Sequence, residues 1–424
     1  MQKILNGNEA IAFAMKQINP DVVAAYPITP STTIPEKFSE FVANGEVETE
    51  FVPVESEHSA MSACIGAAAA GGRAMTATAS QGLALMHEVL VNASGLRLPI
   101  VLANANRALS APLSIHGDHS DSLLERDSGW IQFFASSPQE AYDLTIQAFP
   151  IAEHEKVRLP VMVCFDGFET SHLSTNIEIL SDTAVKKFIG KKKMDDSLFD
   201  FENPKTFGGY TTPDYFFEVK RGQAEGFESA KKVILEVGKK FGKKYSQPIE
   251  QFETADAEII LAVIGSAFGA AKETAKNLRR LGKKIGVIKI RTFRPFPSEA
   301  ILQTVGKAKK IGILDRMVPL GSDGGVLFNE INSALSSTNY KPQTTNWIYG
   351  IGQRQFNPIH AEEIFGQLFS GKFEKINFVN LRGGISIFPF SARGFFTPSA
   401  IFWRKCGPGK TQICGSPSLW QFIF

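Results

Sequence analysis

Cysteine is scarce in this chain, and the few cysteines form no disulfide framework. The 424 residues include four of them, Cys64, Cys164, Cys406 and Cys414. No apolar run is long enough to span a bilayer, and the N-terminus lacks an apolar core followed by a small-residue cleavage site. Neither sign of charge dominates, since the formal net charge is +2, so nothing indicates binding to nucleic acid or to a membrane. We therefore expect a protein of the reducing cytoplasm.

Sequence motifs for metal and phosphate binding are incomplete. The stretch "HGDHSD" contains His116, Asp118, His119 and Asp121, but it has no second ligand cluster, so a hydrogen-bonded loop is favoured over a metal site. "TASQG" around Ser80 lacks the first glycine of a nucleophile elbow. "GSAFGA" lacks the spacing of a dinucleotide fingerprint and indicates tight strand-to-helix packing, and "GPGKT" is only the end of a phosphate loop. We predict no metal ligand in this chain.

What the chain does contain is a regular alternation of short apolar runs with segments of helical length. A first helix is predicted from Asn6 to Gln17, because Asn6 and Glu9 have the spacing of a capping box. Strands are then predicted at "DVVAAY", "TEFVPV", "RAMTATA", "PIVLANA" and "PVMVCFD". This alternation predicts an α/β fold in which helices cover both faces of a parallel sheet.

The alternation weakens once and then returns. From Asp166 to about Gln251 the chain has lysine runs and turn-rich segments, with one helix expected near Gly226 to Lys243. Alternation resumes from "EIILAVIG" to "TNWIYGI". We predict a first domain over 1–178, an exposed connection over 179–250 and a second α/β domain over 251–382. The tail over 383–424 is rich in phenylalanine, has no clear period and stays unassigned.

Ligands of open parallel sheets bind beyond the carboxyl ends of the strands, so the residues that follow each strand are the candidates for a site. They are Thr29, Ser31 and Thr32 after the first strand, Glu55 and Glu57 after the second, Ser80 to Gly82 after the third, and Asn106 and Arg107 after the fourth. We interpret Ser31 and Thr32 as helix caps. Glu57, which heads a helix of small residues, is either a helix cap or a functional carboxylate. Arg107 is either a surface arginine or a bidentate anion ligand, and the second interpretation is favoured.

Several of these stretches together resemble the alpha subunit of pyruvate:ferredoxin oxidoreductase, a thiamine-diphosphate enzyme. They are "YPITPST", "SEHSA", "TATASQGLALM", "NANRALSAPLSIHGDHSD" and "FDGFETSH", and later "VIKIRTFRPFP" and "ILDRMVPLGSDGGVLFNEI". The resemblance implies a thiamine-diphosphate-binding fold of the pyrimidine-binding type, followed by a transketolase C-terminal-like α/β domain.

The resemblance also implies roles for single residues. Glu57 falls on the family's catalytic glutamate, which hydrogen-bonds the aminopyrimidine ring of the cofactor. Thr29 falls on the threonine that hydrogen-bonds the substrate, and Arg107 on the arginine that holds the substrate carboxylate. Further cofactor contacts are expected from Pro27, Ile28, Ser80 and Gln81. The reaction implied is the oxidative decarboxylation of pyruvate to acetyl-CoA and carbon dioxide, with ferredoxin as electron acceptor.

The chain shows neither an acidic, oxygen-rich site for magnesium and diphosphate nor grouped cysteines for an iron–sulfur cluster. The resemblance implies that a beta subunit supplies the diphosphate and Mg half and a 4Fe–4S cluster, and that the cofactor is shared between the two chains. A small ferredoxin-type subunit (delta) with two more clusters, and a gamma subunit, are expected to complete the complex.

Three alternatives stay open. The same reaction on a branched-chain 2-oxoacid such as 2-oxoisovalerate is the first, and a non-catalytic assembly paralogue with the same fold is the second. A transketolase-like enzyme would need a diphosphate half that the sequence does not show. The chain departs from the family pattern at "GQRQF" and after Arg382, where the tail is interpreted as native, as a read-through or as a frameshift product.

Overall fold

The computed structural model describes residues 1–191, 197–242, 245 and 247–382, together with the backbone of 405–406 and 410–411. Met1–Asn380 form one compact unit, and Leu381–Phe424 form a second one. In the second unit the described part is an antiparallel pair, β16 (Lys405–Cys406) and β17 (Lys410–Thr411). Our interpretation of the tail, with the side chains of Cys406 and Cys414, lies outside the described residues.

The first part of the chain alternates strands and helices as predicted. In chain order the elements are β1 (Gln2–Leu5), α1 (Gly7–Ile18), β2 (Val22–Ala25), α2 (Thr33–Ala43), β3 (Glu50–Pro53), α3 (Glu57–Ala69), β4 (Ala74–Thr78), α4 (Ser80–Leu85), α5 (His87–Gly95), β5 (Ile100–Asn106), α6 (Ser120–Leu124), β6 (Ile131–Ala135), α7 (Pro138–Ala152), β7 (Val161–Asp166) and β8 (Thr175–Glu178). The capping box of α1 is confirmed: the Asn6 side chain accepts from the Glu9 N–H, and the Glu9 carboxylate accepts from the Asn6 N–H. The sequence patterns missed β6.

The rest of the compact unit has the same character. Its elements are α8 (Asp182–Ile189), α9 (Pro213–Phe241), β9 (Ile249–Phe252), β10 (Ile259–Ile264), α10 (Ala267–Arg280), β11 (Ile285–Ile290), β12 (Thr292–Arg294), α11 (Ser298–Val305), β13 (Lys310–Asp315), α12 (Val326–Ser336), β14 (Gln343–Ile348), α13 (Pro358–Ser370) and β15 (Ile376–Phe378).

Two large sheets organise these elements. The first has the strand order β12-β6-β7-β5-β4-β2-β3, and its pairs are parallel except that β12 runs antiparallel to β6. The second has the order β15-β14-β13-β10-β11-β9 and is parallel except for β9. Since β12 follows β11 in the chain yet joins the first sheet, the two sheets are interlocked within one unit.

Successive side chains of a strand point to opposite faces of its sheet. Because the strands of the first sheet are apolar at successive positions, both of its faces are apolar. Val101 and Ala103 of β5 lie in a core with residues of α1, α2 and α7, whereas Ile100 and Leu102 lie in a core with residues of α3 and α5. The second of these cores continues without a break into β10, β11 and β13 of the second sheet. One face of each sheet therefore contributes to a shared core.

The sequence patterns predicted an exposed connection after residue 178, but parts of this connection are buried. Val185 of α8 and Ala230, Val233 and Val237 of α9 are buried in the core of the first sheet. Helix α9 also begins earlier than expected, at Pro213. The prediction was wrong here because the many lysines of these helices lie on their outer faces and mask the apolar stripe. The domain boundaries themselves stay a prediction.

A buried group of charges joins the two sheets. Glu140 of α7 accepts hydrogen bonds from Lys289 of β11 at 2.8 Å and from Arg291, while Glu250 of β9 lies 2.8 Å from Lys289 and 3.0 Å from Arg291. Burial by itself would raise the pKa of Glu140, but the charges of Lys289 and Arg291 outweigh it and lower the pKa from 4.5 to about 2. The ionised carboxylate is therefore part of the folded state.

We expect Glu140→Gln to lower the free energy of unfolding at pH 7 by about 3–5 kcal/mol, because two buried cations lose a fully buried countercharge. Since the folded-state pKa lies below the unfolded one, the contribution of Glu140 is complete above pH 4.5 and is lost as the pH falls from 4.5 towards 2. Denaturant unfolding at pH 7 and pH 3 should show the difference between wild type and variant shrink at pH 3. Glu250→Gln is the matched control, with a smaller effect because the Glu250 side chain is 31% exposed. Equal effects of the two variants would contradict this account.

Within the described part of the chain, no helix is both long enough and apolar enough to cross a membrane.

Candidate functional site

The loop after β2 is held rigidly at the carboxyl edge of the first sheet. The Asn8 side chain of α1, which is fully buried, donates to the Pro30 carbonyl oxygen and to Thr33 Oγ1, both at 2.7 Å. Ser31 donates from its N–H and from its hydroxyl to the Ile28 carbonyl oxygen, at 2.9 and 2.8 Å. Pro27 and Thr29 are exposed, and Ile28 is half-buried. The loop therefore presents Thr29 from a fixed backbone.

The structure corrects our interpretation of Ser31 and Thr32 as helix caps. Thr32 does occupy the cap position of α2, but its side chain makes no capping hydrogen bond. The hydroxyl of Ser31 closes the preceding turn instead. Both side chains serve the loop or the helix start without capping an N–H group of α2.

Glu57 is the first residue of α3, and its carboxylate is nearly inaccessible, with 6% of the residue exposed. The helix is capped by its neighbour Ser56, whose hydroxyl accepts from the Ser59 N–H at 3.2 Å, so the interpretation of Glu57 as the cap was wrong. Burial raises the pKa of Glu57, and the N–H of the same residue opposes this shift. No other described residue donates a hydrogen bond to its side chain. Glu57 is thus a buried carboxylate with unused hydrogen-bonding capacity.

Gly82 provides the space that Glu57 occupies. A Cβ atom at Gly82 would stand 2.6 Å from Glu57 Oε1 and 2.4 Å from Thr78 Oγ1. The Thr78 hydroxyl is fully buried and has no hydrogen-bond partner in the described structure. The carboxylate and this hydroxyl therefore both lie against Gly82, whose missing side chain leaves room for them.

We expect Gly82→Ala to lower kcat about 100-fold in any assembled enzyme that uses Glu57, because the new methyl group displaces the carboxylate by about 1 Å. Gly66→Ala is the matched control: Gly66 lies on the same helix as Glu57, and a Cβ there meets nothing within 4 Å. The control should be neutral or stabilise the helix by up to about 1 kcal/mol. Steady-state kinetics and thermal unfolding of both variants test this, and full activity of Gly82→Ala would refute the close packing.

Ser80 lies inside the protein. It is fully buried with a left-handed backbone (φ 50°), and its hydroxyl is 2.6 Å from both the Ala108 carbonyl oxygen and Gln81 Oε1. Its N–H donates to Asp121 Oδ2 at 3.0 Å. Gln81 is half-buried. The hydrogen bonds of Ser80 thus tie the end of β4 to the loop after β5, and whether it contacts a cofactor stays a prediction.

Arg107 is a buried arginine that has no acidic partner among the residues that the structure describes. It is 7% exposed, its Nε donates to the Ser114 carbonyl oxygen at 3.1 Å and its Nη1 to the Thr29 carbonyl oxygen at 3.0 Å. Burial lowers the pKa of Arg107, and the charge of Asp121 opposes this shift. A guanidinium has five N–H groups, so three of them are unused in the described structure. The interpretation as a surface arginine was wrong, and Arg107 is oriented by two loops with donors to spare.

Asp121 joins these segments, and the sequence analysis did not recognise its role. Its carboxylate accepts from the N–H groups of Ser80 and Arg107, both at 3.0 Å, and from the side chains of Asn104 at 3.0 Å and Asn106 at 2.8 Å. Burial raises the pKa of Asp121, and these hydrogen bonds oppose the shift. Its place in "HGDHSD" was visible in the sequence, but its partners lie 14 to 41 residues away.

The side chains of Asp118 and His119, also in "HGDHSD", make hydrogen bonds in separate directions, as the interpretation as a hydrogen-bonded loop predicts. His119 Nε2 lies 2.6 Å from Asp166 Oδ1, and Asp118 accepts from the N–H and the hydroxyl of Ser120. Among the described residues, no group of three or more His, Cys, Asp or Glu side chains is arranged to hold a metal ion.

The second sheet supports the loop that orients Arg107. Arg316, which follows β13, lies 3.1 Å from Asp166, and its carbonyl oxygen accepts from the His119 N–H at 2.9 Å. Ser266, in "GSAFGA", donates from its N–H to Asp166 Oδ2 at 2.6 Å. Gln353, in the divergent "GQRQF", donates from its N–H to the Gly117 carbonyl oxygen at 2.7 Å. Residues after three strands of the second sheet thus hold the segment from Arg107 to His119 in place.

The predicted site residues fall into one connected group. Thr29 and Arg107 are bonded directly, Ser80 and Arg107 are bonded through Asp121, and Glu57 packs against Gly82, two residues after Ser80. Pro27, Ile28 and Gln81 adjoin these residues in the chain, and no hydrogen bond between their side chains and Glu57 or Arg107 is present in the described structure. The edge of the sheet therefore combines a buried carboxylate and a buried guanidinium, both with free hydrogen-bonding capacity.

Known proteins of one family are similar to this chain over most of its length. A family model described as "Pyruvate flavodoxin/ferredoxin oxidoreductase, thiamine diP-bdg" matches residues 13–239, and one described as "Pyruvate:ferredoxin oxidoreductase core domain II" matches 257–361. The pyruvate synthase subunit PorA of Thermotoga maritima is 49% identical over 87% of this chain and 94% of that protein. PorA of Pyrococcus furiosus is 47% identical over 90% of this chain and 98% of that protein. The ketoisovalerate oxidoreductase subunit VorA of Pyrococcus abyssi is 43% identical over 88% of this chain and 96% of that protein.

A solved structure shows the same fold at lower sequence identity. It is the 2-oxoglutarate:ferredoxin oxidoreductase of Magnetococcus marinus with 2-oxoglutarate, coenzyme A and succinyl-CoA bound, with a TM-score of 0.68 and 20% identity over 86% of this chain and 65% of that one. Together with the two family models it confirms the predicted α/β, thiamine-diphosphate-binding fold. Because one family model matches more than half of the chain and relatives of 43–49% identity span most of it, the chain belongs to the pyruvate flavodoxin/ferredoxin oxidoreductase family.

Proposed function

We propose that this chain is the alpha subunit of a cytoplasmic pyruvate:ferredoxin oxidoreductase, which converts pyruvate and coenzyme A to acetyl-CoA and carbon dioxide and passes the electrons to ferredoxin. The observation that carries the proposal is the presence, on one sheet edge, of two buried groups with unused hydrogen-bonding capacity: the Glu57 carboxylate, to which no other described residue donates, and the Arg107 guanidinium, which has no acidic partner among the described residues. The PorA relatives are named as subunits of pyruvate synthase, which agrees with this substrate.

The residues around Glu57 fit the pyrimidine half of thiamine diphosphate. An aminopyrimidine ring offers a protonatable ring nitrogen, and a buried carboxylate with no other donor is a suitable partner for it. When bound, the cofactor supplies the electron sink for breaking the bond between the carboxylate and the 2-oxo carbon of the substrate. Glu57 would hold the ring nitrogen, with Pro27, Ile28 and Gln81 beside the ring. Ser80 would act indirectly, because the hydrogen bond from its hydroxyl to the Ala108 carbonyl oxygen fixes the backbone at the start of α4.

Arg107 and Thr29 would bind the substrate. A planar guanidinium matches a carboxylate through two parallel hydrogen bonds, and Arg107 has three N–H groups left for this purpose. Thr29 is exposed and lies within the turn that Ser31 closes onto the Ile28 carbonyl oxygen, so its hydroxyl is available to a substrate oxygen without ordering a loop. The carbonyl oxygen of Thr29 and the guanidinium of Arg107 are already joined, which keeps the two substrate contacts in register.

We further propose that the chain works only in a complex. A beta subunit would share the thiamine diphosphate and carry its Mg and a 4Fe–4S cluster, and gamma and delta subunits with further clusters would deliver electrons to ferredoxin.

A branched-chain 2-oxoacid is the second candidate substrate. The VorA relatives, named ketoisovalerate oxidoreductase subunits, are 43% identical to this chain, within the 43–49% of the PorA relatives. Arg107 would bind the carboxylate of either substrate and so does not distinguish between them. The higher identities of the two PorA relatives from Thermotoga maritima and Pyrococcus furiosus favour pyruvate over 2-oxoisovalerate. A non-catalytic paralogue is disfavoured because Glu57, Thr29 and Arg107 are all present.

The test is to purify the chain with its native partners and assay pyruvate, 2-oxoisovalerate and 2-oxoglutarate for coenzyme A-dependent ferredoxin reduction. We expect the highest kcat/KM with pyruvate and no turnover by the chain alone. A preference for 2-oxoisovalerate would select the second candidate, and a complex inactive on all three acids would overturn the assignment.

A further inference from the structure

Asp121 lies at the point where the segments of the site converge. It is 2% exposed, and both oxygens of its carboxylate are used. Oδ1 accepts from the Asn106 side chain at 2.8 Å and from the Ser122 N–H at 2.7 Å. Oδ2 accepts from the Asn104 side chain and from the N–H groups of Ser80 and Arg107, each at 3.0 Å. One carboxylate therefore connects the ends of β4 and β5 with the start of α6.

The charge of Asp121 is close to Arg107 but does not occupy its guanidinium. Asp121 bonds the backbone N–H of Arg107, whereas the guanidinium bonds the carbonyl oxygens of Thr29 and Ser114. Two carbonyl dipoles orient a cation without neutralising it, and a carboxylate paired with the guanidinium would fill the fork that a ligand needs. Asp121 thus offsets the buried charge while three N–H groups of Arg107 stay free.

We propose that Asp121 is the positioning residue of the substrate site, which sets the place of Arg107 and leaves its guanidinium available to a ligand. The inference rests on the proposed function, in which Arg107 binds the carboxylate of a 2-oxoacid. It extends that function because binding of the substrate carboxylate by Arg107 would depend on Asp121, a residue that contacts neither substrate nor cofactor.

Asp121→Asn is the variant that tests the proposal. Since each oxygen of Asp121 accepts at least one backbone N–H, an asparagine in either orientation sets its NH₂ group against a donor. Arg107 should then shift, and in the assembled complex we expect the KM for pyruvate to rise about tenfold or more, while the KM for coenzyme A stays within about twofold. Inhibition by oxamate, an unreactive analogue of pyruvate that keeps its carboxylate, should weaken in parallel.

Asp315→Asn is the matched control for a merely structural effect. Asp315 is also buried and accepts from the N–H groups of Leu327 and Phe328 and from the Asn346 side chain, in the second sheet. Both variants should lower the Tm of the complex, but only Asp121→Asn should change the KM for pyruvate. Equal kinetic effects of the two variants, or a KM for pyruvate within twofold of wild type in Asp121→Asn, would overturn the proposal.

A second variant covers the case in which Asp121→Asn does not assemble. Asn104→Ala removes one donor to Asp121 Oδ2 and leaves nothing unpaired, because Asn104 Oδ1 has no partner in the described structure. It should raise the KM for pyruvate several-fold with no change for coenzyme A, and an unchanged KM for pyruvate would count against Asp121. The wild-type complex is measured first: inactivity on every 2-oxoacid overturns the proposed function and the role of Asp121 with it, whereas wild-type activity with unaffected variants overturns only the latter.

Discussion

Glu57→Gln is expected to reduce turnover of the assembled complex by about 10²- to 10⁴-fold, the range that a general acid–base group contributes. Glutamine keeps the shape of the side chain but lacks the negative charge that would hold a protonated ring nitrogen. The carboxylate has no other donor among the described residues, so the loss should fall on cofactor activation and spare the fold. Ferredoxin reduction with saturating pyruvate measures the loss, and NMR-detected exchange of the thiazolium C2 proton of bound thiamine diphosphate shows whether the activation step is the one affected.

Glu55→Gln is the matched control for Glu57→Gln. Glu55 is two residues away and exposed, and its carboxylate accepts from the Ser59 hydroxyl and from its own N–H. Its replacement removes the same charge from the same loop and should leave turnover and C2 exchange unchanged. Turnover of Glu57→Gln within tenfold of wild type would remove Glu57 from the proposed mechanism.

Arg107→Lys is expected to lower kcat/KM for pyruvate about 100-fold or more, because a hydrogen bond to a charged group contributes about 1.5–3 kcal/mol and lysine cannot make the bidentate pair. The shorter reach of the ammonium group also breaks the bonds to the Thr29 and Ser114 carbonyl oxygens. Most of the effect should appear in KM, since in the proposed function the arginine would bind the substrate carboxylate before and during the reaction. Initial rates over a range of pyruvate and of coenzyme A concentrations separate the two constants.

Arg221→Lys serves as the control for Arg107→Lys. Arg221 lies on the exposed face of α9 and pairs with Glu225 at 3.0 Å. The same substitution there should change neither KM. If Arg107→Lys bound pyruvate as tightly as wild type, the substrate carboxylate would have to be held elsewhere.

How far the sequence predicts this fold depends on how many residues separate, along the chain, the partners that form each element. Helix α1 was predicted with its cap because Asn6 and Glu9 are three residues apart and bond each other. The central strands were predicted because their apolar runs are buried on both faces. Strand β12 was missed because it has three residues and pairs with β6, more than 150 positions earlier. No local pattern carries information about such a partner.

The candidate site divides in the same way. Glu57, Thr29 and Arg107 were chosen because each follows a predicted strand and matches a family motif. The contacts that restrict them were not predictable from the sequence. Asp121 accepts a hydrogen bond from Ser80, 41 residues earlier, and Gly82 of α4 packs against Glu57 of α3. Ser80 was placed among the cofactor contacts from its motif alone, and its buried hydroxyl bond to Ala108 became visible only in three dimensions.

The amino-acid sequence by itself determined the alternation of strands and helices, the edge of the sheet at which chemistry can occur and the family to which the motifs point, because these depend on residue type and short spacings. Only the tertiary structure decided that Arg107 is buried with no acidic partner among the described residues, that Asp121 accepts from its N–H and that residues of the second sheet bond its loop. Burial and hydrogen bonding depend on groups that come together from distant positions in the chain. The side chains of the site are held in place only once the two sheets have formed their shared core.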